Sequence, residues 1–177
     1  MKPLNIHATC ISLKNKGILL LGPSGSGKSD LALRAIMQKN AKLVADDRVD
    51  ISLKNNNIYA SCPAAIQGLL EVRGIGIISL APCGRGVSLR GAGKARDAAI
   101  PRALDRISKP VRGKQSQPLK LTQKINLAVE LVDKIQKIER FPEPEFHEIK
   151  GIKIKKIKLC PFELSALDKL VLALNIL

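Results

Sequence analysis

The chain has 177 residues, of which 45% are hydrophobic and 2% aromatic, and its formal net charge is +15. This apolar content is enough for one domain with an aliphatic core, and it excludes a largely disordered chain. No apolar run approaches the roughly 20 residues of a membrane span and no signal peptide is recognisable, so we expect a cytoplasmic protein.

The first third of the chain alternates short apolar runs with turn residues. The run GILLL is continuous, which is typical of a strand buried on both faces, and the three asparagines at residues 55–57 predict the turn of a hairpin. The predicted elements are strands at residues 9–13, 17–21, 42–45, 49–54 and 58–61 and a helix at residues 30–39.

The rest of the chain has weaker patterning. A Gly-containing loop is expected before a strand at residues 75–80, and a break in the strand is expected at Lys155–Lys156, where the apolar alternation changes phase. The other predicted elements are a strand at residues 125–133, an exposed turn at 141–146, β-structure at 148–159 and a helix at 161–177 with a stripe of Leu164, Leu167, Leu170, Val171 and Leu174. The order of elements predicts an α/β fold with a mixed β-sheet and flanking helices.

Residues 83–122 differ from their surroundings in composition. They hold ten Lys or Arg and two Asp, a net charge of +8, with many Gly, Pro and Ser residues. We interpret them as a basic inserted loop within a single domain spanning residues 1–177, with a short helix near residues 98–107. Such charge is compatible with nucleic-acid binding, but no aromatic residues interleave it as single-strand binders require, so a nucleic acid is not the expected partner.

The sequence GPSGSGKS has the G-x(4)-G-K-S spacing of a P-loop, placed between an apolar strand and a helix. Its glycines let backbone N–H groups converge on phosphate oxygens, its lysine reaches the terminal phosphates and its last serine binds Mg²⁺. The alternative is a Gly-rich turn without a ligand. The predicted nucleotide-binding residues are Gly22, Pro23, Ser24, Gly25, Ser26, Gly27, Lys28 and Ser29.

Two acidic features follow the P-loop. Asp46 and Asp47 come after an apolar strand, where one acid could act on the metal side while the other takes a proton from an incoming hydroxyl. They could equally cap a turn or pair with Arg48. Glu71 and Arg73 stand in a Gly-containing stretch that could bring charges to a nucleotide or form a surface ion pair.

Taken together, these motifs resemble the catalytic C-terminal domain of the HPr kinase/phosphorylase family, in a short form without the N-terminal domain. The matching features are an upstream His7, an apolar strand, the P-loop, LVADDRV at residues 43–49 and LEVRGIGII at residues 70–78. The resemblance implies a P-loop kinase-like core within the α/β fold. It also implies a protein-serine kinase that uses ATP and Mg²⁺, phosphorylates a seryl residue of the phosphocarrier protein HPr in phosphotransferase-system regulation, and forms a homo-oligomer.

The same resemblance implies roles for individual residues. His7, Lys28 and Asp47 would be catalytic, with Asp47 as the proton acceptor. Ser29 and Glu71 would hold Mg²⁺, while Asp46 and Arg73 would support the site. The family's Pro-Gly-Arg loop, which is associated with dephosphorylation, is missing near the C-terminus, where CPFELSALDK stands. The kinase direction is therefore expected more than the phosphorylase direction. The alternatives are a nucleotide-sensing binding module and another small P-loop kinase that acts on a metabolite.

Overall fold

The computed structural model describes residues 4–80, 87–90 and 121–176, with side chains in all but residues 87–90. The strands are β1 (Leu4–His7), β2 (Thr9–Leu13), β3 (Lys16–Leu21), β4 (Lys42–Ala45), β5 (Arg48–Lys54), β6 (Asn57–Ser61), β7 (Leu69–Val72), β8 (Gly76–Leu80), β9 (Val87–Arg90), β10 (Thr122–Leu131), β11 (Glu145–Ile149) and β12 (Ile152–Leu159). The helices are α1 (Lys28–Lys39) and α2 (Ala166–Asn175), with 3₁₀ turns at Ala64–Ile66 and Ile135–Lys137.

Nine of these strands form one mixed sheet in the order β1-β5-β6-β10-β3-β2-β4, with β12 beside β10 and β11 beside β12. Strand β10 is parallel to both β3 and β12, whereas β2 is antiparallel to β3 and to β4. The predicted α/β fold with a mixed sheet and flanking helices is therefore confirmed.

The central strands contribute side chains to two hydrophobic clusters, one on each face of the large sheet. Ile18 and Leu20 of β3 pack with both helices, whereas Leu19 between them packs with the β5–β6 hairpin on the opposite face. This alternation is why GILLL is apolar at every position. Helix α1 adds Leu31, Ala32 and Ala35 to the first cluster, and α2 adds Leu167, Leu170 and Leu174.

A second, three-stranded antiparallel sheet is formed by β7, β8 and β9. Its buried residues Leu70, Ile78 and Leu80 pack against Leu33 and Ile36 of α1. The small sheet is thereby placed against the helix that begins at the P-loop.

Most of the predicted elements in the first third of the chain agree with the structure to within two residues. The asparagine hairpin is confirmed, since Asn55 and Asn56 adopt φ values of 48° and 55° in the left-handed region between β5 and β6. Helix α1 begins at Lys28, two residues earlier than predicted.

Later elements required correction. Residues 69–72 form a strand rather than part of a loop, and β11 and β12 pair in an unbroken register through Lys155 and Lys156. No bulge is needed there because Ile154 packs in the cluster beside the β5–β6 hairpin, while Ile157 packs against the helix-side cluster on the other face. The predicted turn at 141–146 is shortened by the start of β11 at Glu145.

The C-terminal helix begins at Ala166, five residues after the predicted start, so the predicted stripe loses Leu164, which is fully exposed. Within the predicted insert, Val87–Arg90 forms β9 instead of loop. Residues 83–86 and 91–120, including the predicted helix near 98–107, lie outside the described residues. No helix in the described part of the chain is long and apolar enough to cross a membrane.

Candidate active site

Strand directions bring the predicted site residues to one edge of the large sheet. Because β4 and β3 are both antiparallel to β2, their carboxyl ends lie at the same edge, and so Asp46 and Asp47 come to the side of the P-loop. Strand β2 begins at that edge with Thr9, and β1 ends there with His7. In open α/β sheets, ligands bind in the crevice at the carboxyl ends of the strands.

The P-loop leaves β3 and enters α1 at Lys28. The Lys28 ammonium is buried and donates hydrogen bonds of 2.8 Å to the carbonyl oxygens of Gly22 and Pro23. Burial lowers the pKa of Lys28, and the nearby charges of Asp46 and Asp47 oppose that shift. The P-loop therefore folds around the Lys28 ammonium, which is the group expected to bind the phosphates of a nucleotide.

Ser26 in the same loop has a buried hydroxyl oxygen that finds no hydrogen-bond partner among the described residues. Buried hydroxyl groups in proteins are nearly always hydrogen-bonded. The unpaired hydroxyl lies against Gly22 of the same loop, 2.6 Å from where a Cβ on that glycine would stand.

Asp46 is the buried acid of the pair and is held from three sides. Its carboxylate accepts from Thr9 Oγ1 at 2.7 Å, from Ser29 Oγ at 3.0 Å and from the Glu71 backbone N–H at 3.3 Å. These bonds connect the acid to β2, α1 and β7. Asp46 therefore lies beside the serine of the P-loop, on the side where a metal is expected.

Asp47 is exposed and faces His7 instead. His7 Nδ1 lies 3.0 Å from Asp47 Oδ1 and 3.1 Å from the Asp47 carbonyl oxygen. Both neighbours are acceptors, so the proton of the imidazole is assigned to Nδ1. The turn is tight, since the Arg48 N–H donates to the Asp46 carbonyl at 2.7 Å and Asp47 has φ of 62°. A non-glycine residue in this region is a feature found often at functional sites.

Glu71 and Arg73 lie on and after β7, in a β-hairpin with β8 rather than in the loop expected from sequence. Their side chains reach a cavity of about 340 Å³ that opens at the P-loop. The Arg73 guanidinium lies near Gly25, 3.7 Å from where a Cβ on that glycine would stand.

Ten of the predicted site residues line this one cavity: His7, Ser24, Gly25, Gly27, Lys28, Ser29, Asp46, Asp47, Glu71 and Arg73. The remaining three, Gly22, Pro23 and Ser26, belong to the same loop but do not line it. Asp30, Leu33, Val72 and Phe162 also line the cavity, and Thr9 contacts Asp46 beside it; none of these was singled out from sequence as a site residue. Thr9 was an unremarked polar residue in an apolar strand, and Phe162 follows β12 at the far side of the cavity.

A metal site made only of protein side chains is absent from the described ranges, where no group of three His, Cys, Asp or Glu residues is arranged to hold an ion. The oxygens of Ser29, Asp46 and Glu71 are nonetheless the hard ligands that suit Mg²⁺, which commonly keeps waters and takes one or two carboxylates together with substrate phosphates. The donor set fits an ion that arrives with a nucleotide.

Comparison with known proteins points to one family. Residues 2–85 match the family model of the HPr Serine kinase C-terminal domain. An HPr kinase/phosphorylase of Lactobacillus acidophilus is 40% identical over 93 residues, which cover 52% of this chain and 27% of that protein. Its counterpart in Mycoplasmopsis pulmonis is 39% identical over 79 residues, covering 45% of this chain and 25% of that protein. The alignments therefore span only about a quarter of the length of these curated relatives.

The whole fold has a match as well. The structure of the Hpr(Ser) kinase/phosphatase from Coxiella burnetii superposes with a TM-score of 0.66 at 24% identity, covering 98% of this chain and 90% of that chain. At this level of identity the match supports the α/β fold. The matches confirm the resemblance to the HPr kinase/phosphorylase family, which is carried at the sequence level by residues 2–85.

Proposed function

We propose that this protein is an ATP- and Mg²⁺-dependent protein-serine kinase that phosphorylates a seryl residue of HPr or an HPr-like protein. The observation that carries the proposal is the convergence of a P-loop lysine, a buried acid beside the P-loop serine and an exposed His–Asp pair on one cavity. We infer HPr as the substrate because the relatives are named HPr kinase/phosphorylase.

The phosphate-binding role falls to the P-loop. Lys28 Nζ is bonded only to neutral carbonyl oxygens of the loop among the described contacts, so it can turn towards the more strongly accepting phosphate oxygens. Its charge, placed in a partly dehydrated site, would offset the negative charge that develops on the transferred phosphoryl group. Arg73, whose guanidinium lies near Gly25 of the same loop, can add a second positive charge.

The residues that would hold Mg²⁺ are Ser29 and Glu71, with Asp46 as the anchor between them. When bound, the ion would neutralise phosphate charge and fix the phosphates in place. Asp46 accepts hydrogen bonds from the Ser29 hydroxyl and from the Glu71 backbone N–H, so the Ser29 ligand and the strand that carries Glu71 are held in place before any ion arrives.

Proton removal is assigned to Asp47. A seryl hydroxyl is a weak nucleophile, so a positioned base is needed to take its proton as the new O–P bond forms. Asp47 is exposed at the cavity mouth, where a protein substrate can reach it, and His7 Nδ1 holds its carboxylate at 3.0 Å. In this proposal His7 orients the base, and the two acids divide the work of metal support and proton transfer.

The test is transfer of label from ATP to HPr in the presence of Mg²⁺, with an HPr variant lacking the target serine as control. We expect label on the seryl side chain and none on the control. Lys28→Ala should lose both nucleotide binding and transfer. ATP binding without transfer to HPr would contradict the kinase proposal and favour a nucleotide-sensing module or a kinase for a metabolite. The homo-oligomeric state and the regulatory role implied by the resemblance belong to the same proposal, as does the cytoplasmic location expected from the sequence.

A further inference from the structure

Phe162 lines the P-loop cavity, and the proposed mechanism gives it no role. The chain has one Tyr, three Phe and no Trp, and of these four aromatic side chains only Phe162 lines the P-loop cavity. Its side chain is 62% exposed although it lies in the turn before α2. Exposure alone is ordinary for a single apolar side chain, but the exposed ring of Phe162 is the one that lies at the P-loop cavity.

The topology places Phe162 on the opposite side of the P-loop from the acids. Asp46 and Asp47 follow β4, which is separated from β3 by β2. Phe162 follows β12, which is separated from β3 by β10 on the other side. A chain of phosphates that has its reacting end at the acids and crosses the P-loop therefore has its other end directed towards Phe162.

The segment that carries Phe162 is held firmly against the P-loop. A Cβ added to Gly27 would lie 2.8 Å from Pro161 Cγ and 3.5 Å from Phe162 Cε1, so the two segments are in close contact. The Arg34 guanidinium of α1 donates to the Pro161 carbonyl oxygen and, through Nε, to Asp30 at 3.1 Å. The ring therefore stands on a fixed turn, which lowers the conformational entropy lost when a ligand packs on it.

We propose that Phe162 is the platform on which the base of the bound nucleoside triphosphate stacks. This inference rests on the proposed function, because it needs a nucleotide at the P-loop. Stacking on an aromatic ring is available to every base, so Phe162 would contribute affinity for the base without choosing among bases. It also gives a role to a residue of CPFELSALDK, the stretch in which the sequence departs from the family pattern.

The chain offers an unusually clean probe, because a Phe→Trp change introduces its only tryptophan. In Phe162→Trp, the introduced indole should change its emission on addition of ATP with Mg²⁺ and stay unchanged with tripolyphosphate and Mg²⁺, which has no base. The matched control is Phe146→Trp on β11, where the native ring is 57% exposed but does not line the cavity. Neither ligand should alter its emission.

Affinity provides the second measurement. Phe162→Ala should weaken ATP binding by about 5- to 150-fold, the range found for loss of one base–aromatic stack, and leave tripolyphosphate binding unchanged. Phe162→Leu keeps apolar contact but loses the aromatic face, and it should weaken ATP binding as well. Thermal unfolding of each variant checks that the fold is intact.

The outcomes separate this inference from the proposed function. If wild-type protein binds ATP but Phe162→Ala binds it equally well, the stacking role is wrong while the kinase proposal stands. Equal weakening of ATP and tripolyphosphate by Phe162→Ala would also overturn stacking, because it would mean that the ring only supports the P-loop. No binding of ATP by the wild-type protein would overturn both proposals.

Discussion

Asp47 has an unusual backbone as well as a candidate catalytic side chain. Its φ of 62° is one that asparagine tolerates as well as aspartate, whereas alanine there would add backbone strain. Asp47→Asn therefore removes the negative charge and the proton-accepting function while keeping the turn.

We expect Asp47→Asn to bind ATP as the wild type does and to lose about 10²- to 10⁴-fold in phosphoryl transfer, the usual contribution of a positioned general base. Nucleotide titration and single-turnover transfer to HPr measure the two effects separately. The matched control is Asp50→Asn, since Asp50 lies on the neighbouring strand β5 and does not line the cavity. Full transfer activity in Asp47→Asn would assign the proton to another group.

At the scale of elements, the contact between the P-loop and the turn after β12 depends on one glycine. Gly27 has φ of +85°, and a side chain there would collide with Pro161. Gly74, in the β7–β8 turn, has nearly the same φ of +83° but nothing within 4 Å of an added Cβ. A substitution at either position therefore carries the same backbone strain, but only a side chain at Gly27 would also collide with Pro161.

Gly27→Ala should lower the free energy of unfolding by more than Gly74→Ala, which carries only the roughly 1–2 kcal/mol cost of a left-handed alanine. It should also weaken nucleotide binding, because Pro161 and Phe162 must move away from the loop. Urea unfolding and nucleotide titration of both variants give the comparison. Equal destabilisation by the two changes would contradict this prediction, because it would mean that Pro161 can move aside without lowering the free energy of unfolding.

The β11–β12 hairpin carries a pH-dependent ion-pair network. Glu145 pairs with Lys156 and Lys158, each at 2.7 Å, and these hydrogen bonds lower the Glu145 pKa from 4.5 to about 2. A depressed folded-state pKa means that the stabilisation is fully present above pH 4.5 and is lost as the pH falls towards 2.

Glu145→Gln should accordingly lower the thermal midpoint at pH 7, and its difference from wild type should close as the pH approaches 2. Glu148→Gln, at an exposed position of the same strand, serves as the control and should change little at either pH. A difference that persisted unchanged at pH 2 would mean that Glu145 acts through packing rather than charge.

Sequence reasoning succeeded where local pattern alone decides the structure. The apolar run before the P-loop and the asparagines at the β5–β6 turn specify their elements by residue type. The motifs identified Lys28, Asp46 and Asp47 as candidates, and the strand directions place all three at one cavity. Sequence reasoning failed where contacts between residues distant in the sequence decide the structure. Strand β12 has its apolar residues on two faces because the two clusters cover different halves of it, and this follows only from the strand order.

The same limit applies to the site. Thr9 reaches Asp46 across 37 residues of sequence, and Phe162 reaches Gly27 through the placement of β12 beside β10. Neither residue belongs to a spacing motif. The sequence signal was weak: Thr9 is a polar residue at the start of a predicted apolar strand, but Ser12 in the same strand is polar as well.

For the whole molecule, the two large hydrophobic clusters share a sheet. Leu127 and Val129 of β10 face the helices, while Ile125 and Ala128 pack in the cluster beside the β5–β6 hairpin. Loss of either cluster would leave one face of β10 and β3 in water. We therefore expect the two clusters to unfold together, as the prediction of a single domain requires.

Leu170→Ala in α2 and Ile51→Ala in β5 test this expectation, since both side chains are fully buried, one in each cluster. Each should lower the free energy of unfolding by about 2–5 kcal/mol, the range for large-to-small core changes. The exposed controls on the same elements are Leu172→Ala and Leu53→Ala, with side chains 59% and 45% exposed, and they should cost about 0.5 kcal/mol or less.

Two probes report on different parts of the molecule during the same urea titration. Circular dichroism at 222 nm follows the helices. Tyr59 is the only tyrosine and the chain has no tryptophan, so the intrinsic fluorescence follows β6, in the hairpin beside the other cluster. Coincident transitions in wild type and in both core variants would establish one cooperative unit, because each probe would then respond to a cavity on the far side of the sheet. If Leu170→Ala shifted the circular dichroism curve and left the Tyr59 curve in place, the helix-side cluster would be a separate folding unit and the single-domain prediction would be wrong.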